Sequence, residues 1–234
     1  APYGHRSFDV VYEFTLEAVK FLFEQGSPLV ILACNTASAK ALRTIQQKDL
    51  PLIAPNNRVL GVIRPSTEVL GERTKTGHVG VLGTTGTITS QSFPIELSKF
   101  APDTVVHQHA CPMWVPLIEN QQHEHPAGQQ FIYEDVQAIL AQSSEIDTLL
   151  LACTHYPVLQ QQIEMLVGPT IQVVPQGPIV AEKLENYLFA HPEMEARLSK
   201  NGSVAYFTSE ATAVFNERAK SFLGDQVNSV HHSF

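Results

Sequence analysis

Two stretches of the chain decide its fold: residues 27–38, SPLVILACNTAS, and residues 147–157, DTLLLACTHYP. Each opens as an unbroken apolar run and ends in Ala-Cys followed by a polar residue. A run that is continuous rather than alternating reads as a strand buried on both faces, as in a parallel sheet. A helical pattern follows each run. After Cys34 it is TASAKALRTIQQ; after Cys153 it is PVLQQQIEMLV, where Leu159, Ile163 and Leu166 recur on one face. Working outward, further strands are expected at 59–63, 78–82, 104–107 and 171–174. Helices are expected at 9–25, 67–74, 91–100, 132–142 and 179–189, and NQQHEHPAG (120–128) reads as an exposed loop. Strands alternating with helices give an α/β protein whose parallel sheets carry helices on both faces. The two Leu-Ala-Cys turns form an internal repeat, which points to two similar halves facing one another. Chance recurrence of so short a string in two buried strands is the competing reading.

Composition narrows the function classes. The 234 residues carry a net charge of −8, a poor match for phosphate backbones, so nucleic-acid binding is not expected. Hydrophobic residues make up 44%, enough for a sizeable core. Charged residues are only 16%, against roughly 25% in an average protein, and this low charge is read as favouring a homodimer. Cys34, Cys111 and Cys153 are too few and too far apart for a disulfide framework or a zinc ribbon, so free thiols and a cytoplasmic location are expected. No apolar run approaches the length of a membrane span, and the polar start APYGHRSFDVVYEF does not read as a signal peptide.

In an open parallel sheet, ligands bind beyond the carboxyl ends of the strands, where Cys34 and Cys153 both fall. Each is also expected to precede a helix N-terminus, whose field favours thiolate over thiol and should draw the pKa below about 8.5. Two such thiols approaching one substrate from opposite sides suit inversion of a carbon centre. One removes a proton from one face, and the other returns a proton to the opposite face. Cys111, in HACPMWVPL, reads instead as a buried structural thiol. Asn35, Thr36, Thr154 and His155 offer amide, hydroxyl and imidazole groups suited to an α-carboxylate and an ammonium. The turn GVLGTTGTITS (80–90), with Gly83, Thr84, Gly86 and Thr87, lacks the GxGxxG spacing of a dinucleotide site and reads as a carboxylate cradle.

With these residues in place, the sequence resembles the glutamate racemases of the cofactor-independent aspartate/glutamate racemase superfamily. The motifs that carry the resemblance are PYGHRS (2–7), ACNTASA (33–39), GTTGTITS (83–90), CPMWVPLIE (111–119) and LACTHYP (151–157). The resemblance implies two pseudo-symmetric α/β domains with the active site in the cleft between them. The second domain, 63–174, would be inserted into a first domain formed by 1–62 and 175–234. By the family's usual assignment, Cys34 acts on D-glutamate and Cys153 on L-glutamate, with His155 assisting Cys153. Tyr3, Gly4, Asn35, Thr36 and Thr154 would bind substrate, and Thr87 and Glu119 match positions near the site. No cofactor and no metal are implied. The role implied is supply of D-glutamate for peptidoglycan, and some family members are regulated by a cell-wall precursor.

Two departures stand out. The family opens with a strand and a turn of the type FDSGxGG, whose aspartate and serine serve the first cysteine and the substrate. These 234 residues contain no counterpart, so either the sequence is a piece of a longer chain or the segment is truly missing; in the second case a central strand of the first sheet would be lost, and poor stability with little or no activity is expected. Arg64 stands where an acidic or apolar residue is more usual. The alternatives carried forward are an aspartate racemase-like isomerase and an inactive amino-acid-binding fragment. A metal-binding reading of His107, His109 and Cys111, alternate residues on one strand face, and of His123 and His125 is weighed and set aside as a solvated face. His231 and His232 read as free-tail histidines.

Overall fold

The computed structural model describes residues 3–200, 202–224 and 227–233, without the side chain of residue 221; Pro2 of the PYGHRS motif lies outside this range. The chain opens with α1 (Phe8–Glu24), started by Ser7, whose Oγ accepts from the Val10 N–H. Next come β1 (Leu29–Leu32), α2 (Asn35–Lys40), α3 (Leu42–Thr44), a π turn at Ile45–Asp49, α4 (Leu50–Ile53) and β2 (Arg58–Gly61). The strands β1 and β2 pair in parallel, from Leu29 opposite Arg58 to Leu32 opposite Gly61. The helix expected after Cys34 is divided into short pieces. The π turn falls just before Pro51, which has no N–H to continue a regular ladder. Ser38 of the CNTAS motif is structural. Its hydroxyl donates to Leu32 O and accepts from Val62 N, stitching the ends of β1 and β2 together.

The second sheet is larger. The chain runs α5 (Ile63–Arg73), β3 (His78–Gly83), α6 (Thr85–Thr89), α7 (Ser92–Leu97), β4 (Val105–Ala110), α8 (Trp114–Glu119) and α9 (Pro126–Leu140). It continues through β5 (Thr148–Ala152), a 3-10 turn at Tyr156–Leu159, α10 (Gln160–Val167), β6 (Gln172–Pro175) and α11 (Gln176–Ala190). The strand order is β4-β3-β5-β6, parallel throughout. Every residue of β5 is buried, as its unbroken apolar run requires. Leu149 and Leu151 pack among Ile132, Ile139 and Ile163, which belong to α9 and α10. Leu150 and Ala152 face the other way, into Ile63, Leu70, Phe93 and Ile179 of α5, α7 and α11. Helices therefore cover both faces of this sheet.

Three expectations need correction. The first apolar run is not buried on both faces: Val30 and Leu32 point into the core, while Ile31 is 36% exposed. The helix α9 begins at Pro126, inside the expected loop. Proline is favoured in a first turn, and His125 Nδ1 accepts from the Ala127 N–H. The final stretch holds α12 (Pro192–Glu195), β7 (Tyr206–Thr208), α13 (Thr212–Leu223) and β8 (Ser229–His231), with β7 paired in parallel to β8. His232 is no free tail: its ring stacks on Phe21 of α1 at 3.8 Å, and Phe207 meets the Phe21 ring edge-on at 5.0 Å. Arg64, unexplained by the sequence, sits 3.0 Å from Glu68 and over the Phe100 ring. Among the described residues no helix is long and apolar enough to cross a membrane.

One carboxylate staples the entrance of the second sheet. Asp147 accepts from Thr74 Oγ1 (2.6 Å), Lys75 N (2.7 Å), Thr76 N (3.0 Å) and Thr148 Oγ1 (2.9 Å). Burial pushes its carboxyl up, but these hydrogen bonds outweigh it and hold the pKa at about 2. The folded value lies below the unfolded one, so the stabilisation is complete above about pH 4 and is lost as pH falls through about 2. Asp147→Asn is expected to cost about 1.5–3 kcal/mol in urea unfolding at pH 7. The gap from wild type should narrow steadily below pH 4.

Candidate active site

Both Ala-Cys turns open onto one cleft of about 680 Å³. Cys34 arrives from the carboxyl end of β1 and caps α2; Cys153 arrives from the carboxyl end of β5. The two strands thus deliver one thiol from each sheet to a shared space. All three cysteines are free; Cys34 is half-buried and Cys153 is 9% exposed.

Cys153 corrects the electrostatic expectation. The chain beyond it enters a 3-10 turn rather than an α-helix. Burial dominates and pushes its thiol up to about 12. The His155 and Tyr156 N–H groups act in the opposite direction, while charges on Cys34 and Glu119 push it further up. Cys153 therefore rests as a thiol, a held proton, rather than as a ready base. Its Sγ lies 3.9 Å from His155 Nδ1, and His155 Nε2 lies 3.3 Å from Glu119 Oε1. A carboxylate beside Nε2 favours the proton on that nitrogen, which leaves the Nδ1 lone pair facing the sulfur. Arg218 of α13 sits 3.6 Å from Glu119 Oε2, and Phe222 meets the His155 ring edge-on.

The other wall is built from small polar groups. Thr36 Oγ1 is 2.8 Å from Thr84 Oγ1 and 3.3 Å from Thr87 Oγ1, closing a triangle of hydroxyls between α2 and α6. Gly4 O accepts from the Gly86 N–H at 2.8 Å. A Cβ on Gly86 would lie 3.0 Å from that oxygen and 3.0 Å from Thr36 Cγ2, so a larger residue would require these neighbours to give way. Tyr3, whose hydroxyl pKa is raised by burial and then by the Cys34 charge, joins this wall.

Asn35 owes its orientation to a residue the sequence did not single out. Gln176, at the start of α11, donates through Nε2 to Ser66 Oγ (2.8 Å) and Val62 O (3.3 Å). Its Oε1 must then face Asn35, whose Nδ2 donates to it at 2.5 Å. That leaves Asn35 Oδ1 buried without a hydrogen-bond partner, on a residue lining the cleft.

Of the residues expected at the site, Tyr3, Gly4, Cys34, Asn35, Thr36, Glu119, Cys153, Thr154 and His155 all line the cleft. Thr87 is fully buried behind it, and Thr84 takes its place at the surface. Cys111 is 1% exposed, as its structural reading requires, though it contributes to the cleft floor. The sequence reading missed Gln176 and the α13 face bearing Phe215, Arg218 and Phe222.

The sequence model for Asp/Glu/Hydantoin racemase matches residues 9–184. A glutamate racemase from Streptococcus suis is 32% identical over 99% of this chain and 84% of its own length, and one from Listeria monocytogenes matches to the same extent. A glutamate racemase isoform from Bacillus anthracis superposes with a TM-score of 0.85 at 29% identity, over 100% of this chain and 84% of that one. The Francisella tularensis enzyme, solved in complex with D-glutamate, gives 0.81 at 25% identity, over 99% and 82%. The chain belongs to the Asp/Glu/Hydantoin racemase family.

Since the thiolate is what reacts with alkylating agents, the state of Cys153 is directly measurable. Iodoacetamide labelling mapped by mass spectrometry should be very slow at Cys153 at neutral pH. It should rise about tenfold per pH unit up to pH 10, as a thiol with pKa about 12 requires. A plateau below pH 9 would contradict the burial argument.

Proposed function

We propose that this chain interconverts L- and D-glutamate by a two-base mechanism carried by Cys34 and Cys153, without a cofactor. The observation that carries the reading is the delivery of two thiols, one from each sheet, to a single cleft. Acting as thiolate, Cys34 removes the α-proton of D-glutamate, and the Cys153 thiol returns a proton to the opposite face. In the reverse direction His155 draws the proton from Cys153 through Nδ1, Cys153 attacks the α-hydrogen of L-glutamate, and Cys34 donates. Glu119 orients His155. The raised pKa of Cys153 supports its part as proton donor and explains why it would need His155 as a base. The buried, unpartnered Asn35 Oδ1 suits the substrate ammonium, and the hydroxyls of Thr36, Thr84 and Thr154 suit its carboxylates. Tyr3 and Gly4 complete that wall, and Thr87 supports it from behind.

The relatives named above are glutamate racemases, which favours glutamate over aspartate. The same reading divides the chain into a first domain of residues 1–62 and 175–234 and an inserted domain of 63–174. It also includes a cytoplasmic homodimer supplying D-glutamate for peptidoglycan, with regulation by a cell-wall precursor.

Replacing Cys34 or Cys153 by serine is expected to lower racemisation by about 100- to 10,000-fold, the usual worth of a positioned acid or base. His155→Asn should lower kcat more from L-glutamate than from D-glutamate. The ratio kcat/KM must fall equally in both directions, because the two enantiomers have equal energy. Chiral chromatography of timed reactions measures all three. Near-normal turnover by either cysteine variant would dismiss the two-base reading, and an equal fall in kcat would remove His155 from the Cys153 side.

A further inference from the structure

The histidines of the HQHAC segment do not share one environment. His107 Nε2 lies 3.0 Å from His78 Nδ1, and the two rings stack with centroids 5.3 Å apart. His109 turns to α9, where its Nε2 meets Asp135 Oδ1 at 2.8 Å. Cys111, two residues on, brings its thiol to the same place. The ligand atoms of His109, Cys111 and Asp135 all lie within 4.8 Å of one another.

We infer that His109, Cys111 and Asp135 form a divalent-cation site of the zinc type, separate from the thiols assigned to proton transfer. One imidazole nitrogen, one sulfur and one carboxylate oxygen are a borderline-soft set. They favour zinc over magnesium or calcium, which take oxygen ligands. Ligand atoms around tetrahedral zinc stand about 3.3–3.8 Å apart, given metal–ligand bonds of about 2.0–2.3 Å. The sulfur needs only to draw in and the His109–Asp135 contact to relax slightly. Both elements that hold the ligands are firmly seated. Asp135 lies beside the fully buried Val136 of α9, with Ile132 and Ile139 on the same helix, and His109 lies within the β3–β4 ladder. Access is one-sided: Cys111 is 1% exposed, whereas the His109 and Asp135 side chains are 25% and 20% exposed. Three protein ligands with one side reachable from solvent leave the fourth position to water. The site sits directly behind the cleft floor, because Cys111 both lines the cleft and packs in the same apolar cluster as Cys153.

The test uses cobalt as a spectroscopic substitute for zinc. In a Cys34→Ala/Cys153→Ala chain, Cys111 is the only thiol left. Its folding is checked by circular dichroism and a cooperative melt. Adding Co²⁺ should produce a near-ultraviolet thiolate-to-cobalt charge-transfer band and intense visible bands of a tetrahedral site. Saturation should come at one equivalent, and one equivalent of Zn²⁺ should bleach both. Cys111→Ser should abolish the charge-transfer band. His109→Gln and Asp135→Asn should each weaken binding by more than about tenfold, since even the loss of a supporting contact costs that much. If the doubly substituted chain does not fold, wild type and its Cys111→Ser variant are compared, and the variant should take up one fewer cobalt equivalent. Absence of the band in the folded parent, equal uptake in that comparison, or unchanged affinity in the His109 and Asp135 variants would overturn the site. None of these readouts depends on racemisation.

Discussion

A buried amide ties the two sheets together, alongside the Thr36–Thr84 and Gly4–Gly86 contacts. Gln176 follows β6 of the larger sheet and starts α11. Its side chain fastens Asn35 at the start of α2, the Val62 carbonyl just past β2, and Ser66 of α5. All of its bonds are buried, where an unsatisfied polar group costs about 1–3 kcal/mol. Its two donors and one acceptor are matched in only one orientation. That orientation fixes the Asn35 amide, and Asn35 directly follows Cys34. The Cys34 turn is thus tied to the second sheet through a contact that contains neither cysteine.

Around this join, burial does most of the chemical work. The unbroken Leu149–Leu151 run needs apolar cover on both faces, and the same cover surrounds Cys153 and keeps its proton in place. The His155–Glu119 pair then offers a lone pair to a sulfur that would otherwise stay protonated. On the opposite wall, glycine at position 86 lets the Gly4 segment and α2 approach closely enough for three threonine hydroxyls to meet. One wall is apolar with a relay; the other is a lattice of small hydrogen-bonding groups.

What the sequence made legible is what short-range pattern can carry. Continuous apolar runs ending in Ala-Cys located β1, β5 and both thiols, and the residues flanking those turns proved to line the cleft. Helix and strand ends slipped by a few residues where proline intervened, at Pro51 and Pro126. The role of Gln176 had no local signal, because its partner Asn35 lies 141 residues away. The face of α13 was missed for a related reason. Its apolar residues line a cleft rather than a core, so its described residues form no buried stripe. The Cys153 pKa was misjudged in sign because a helix-end argument counts backbone dipoles and leaves out desolvation, which only the packed fold reveals. The HQHAC histidines show the same limitation: alternation put them on one face, and different neighbours separated them.

The central claim is that two thiols address one α-carbon from opposite sides. It is tested most directly by proton exchange at that carbon. The chain is incubated in D₂O with L-glutamate and, separately, with D-glutamate, tracking the α-hydrogen by NMR and the enantiomer ratio by chiral chromatography. With one base on each face, the newly formed enantiomer should carry deuterium from its first appearance, while the remaining substrate keeps its α-proton in the early phase. Inverted product that retains the original α-proton from the outset would mean that a single group carries the proton between faces, and would contradict the account.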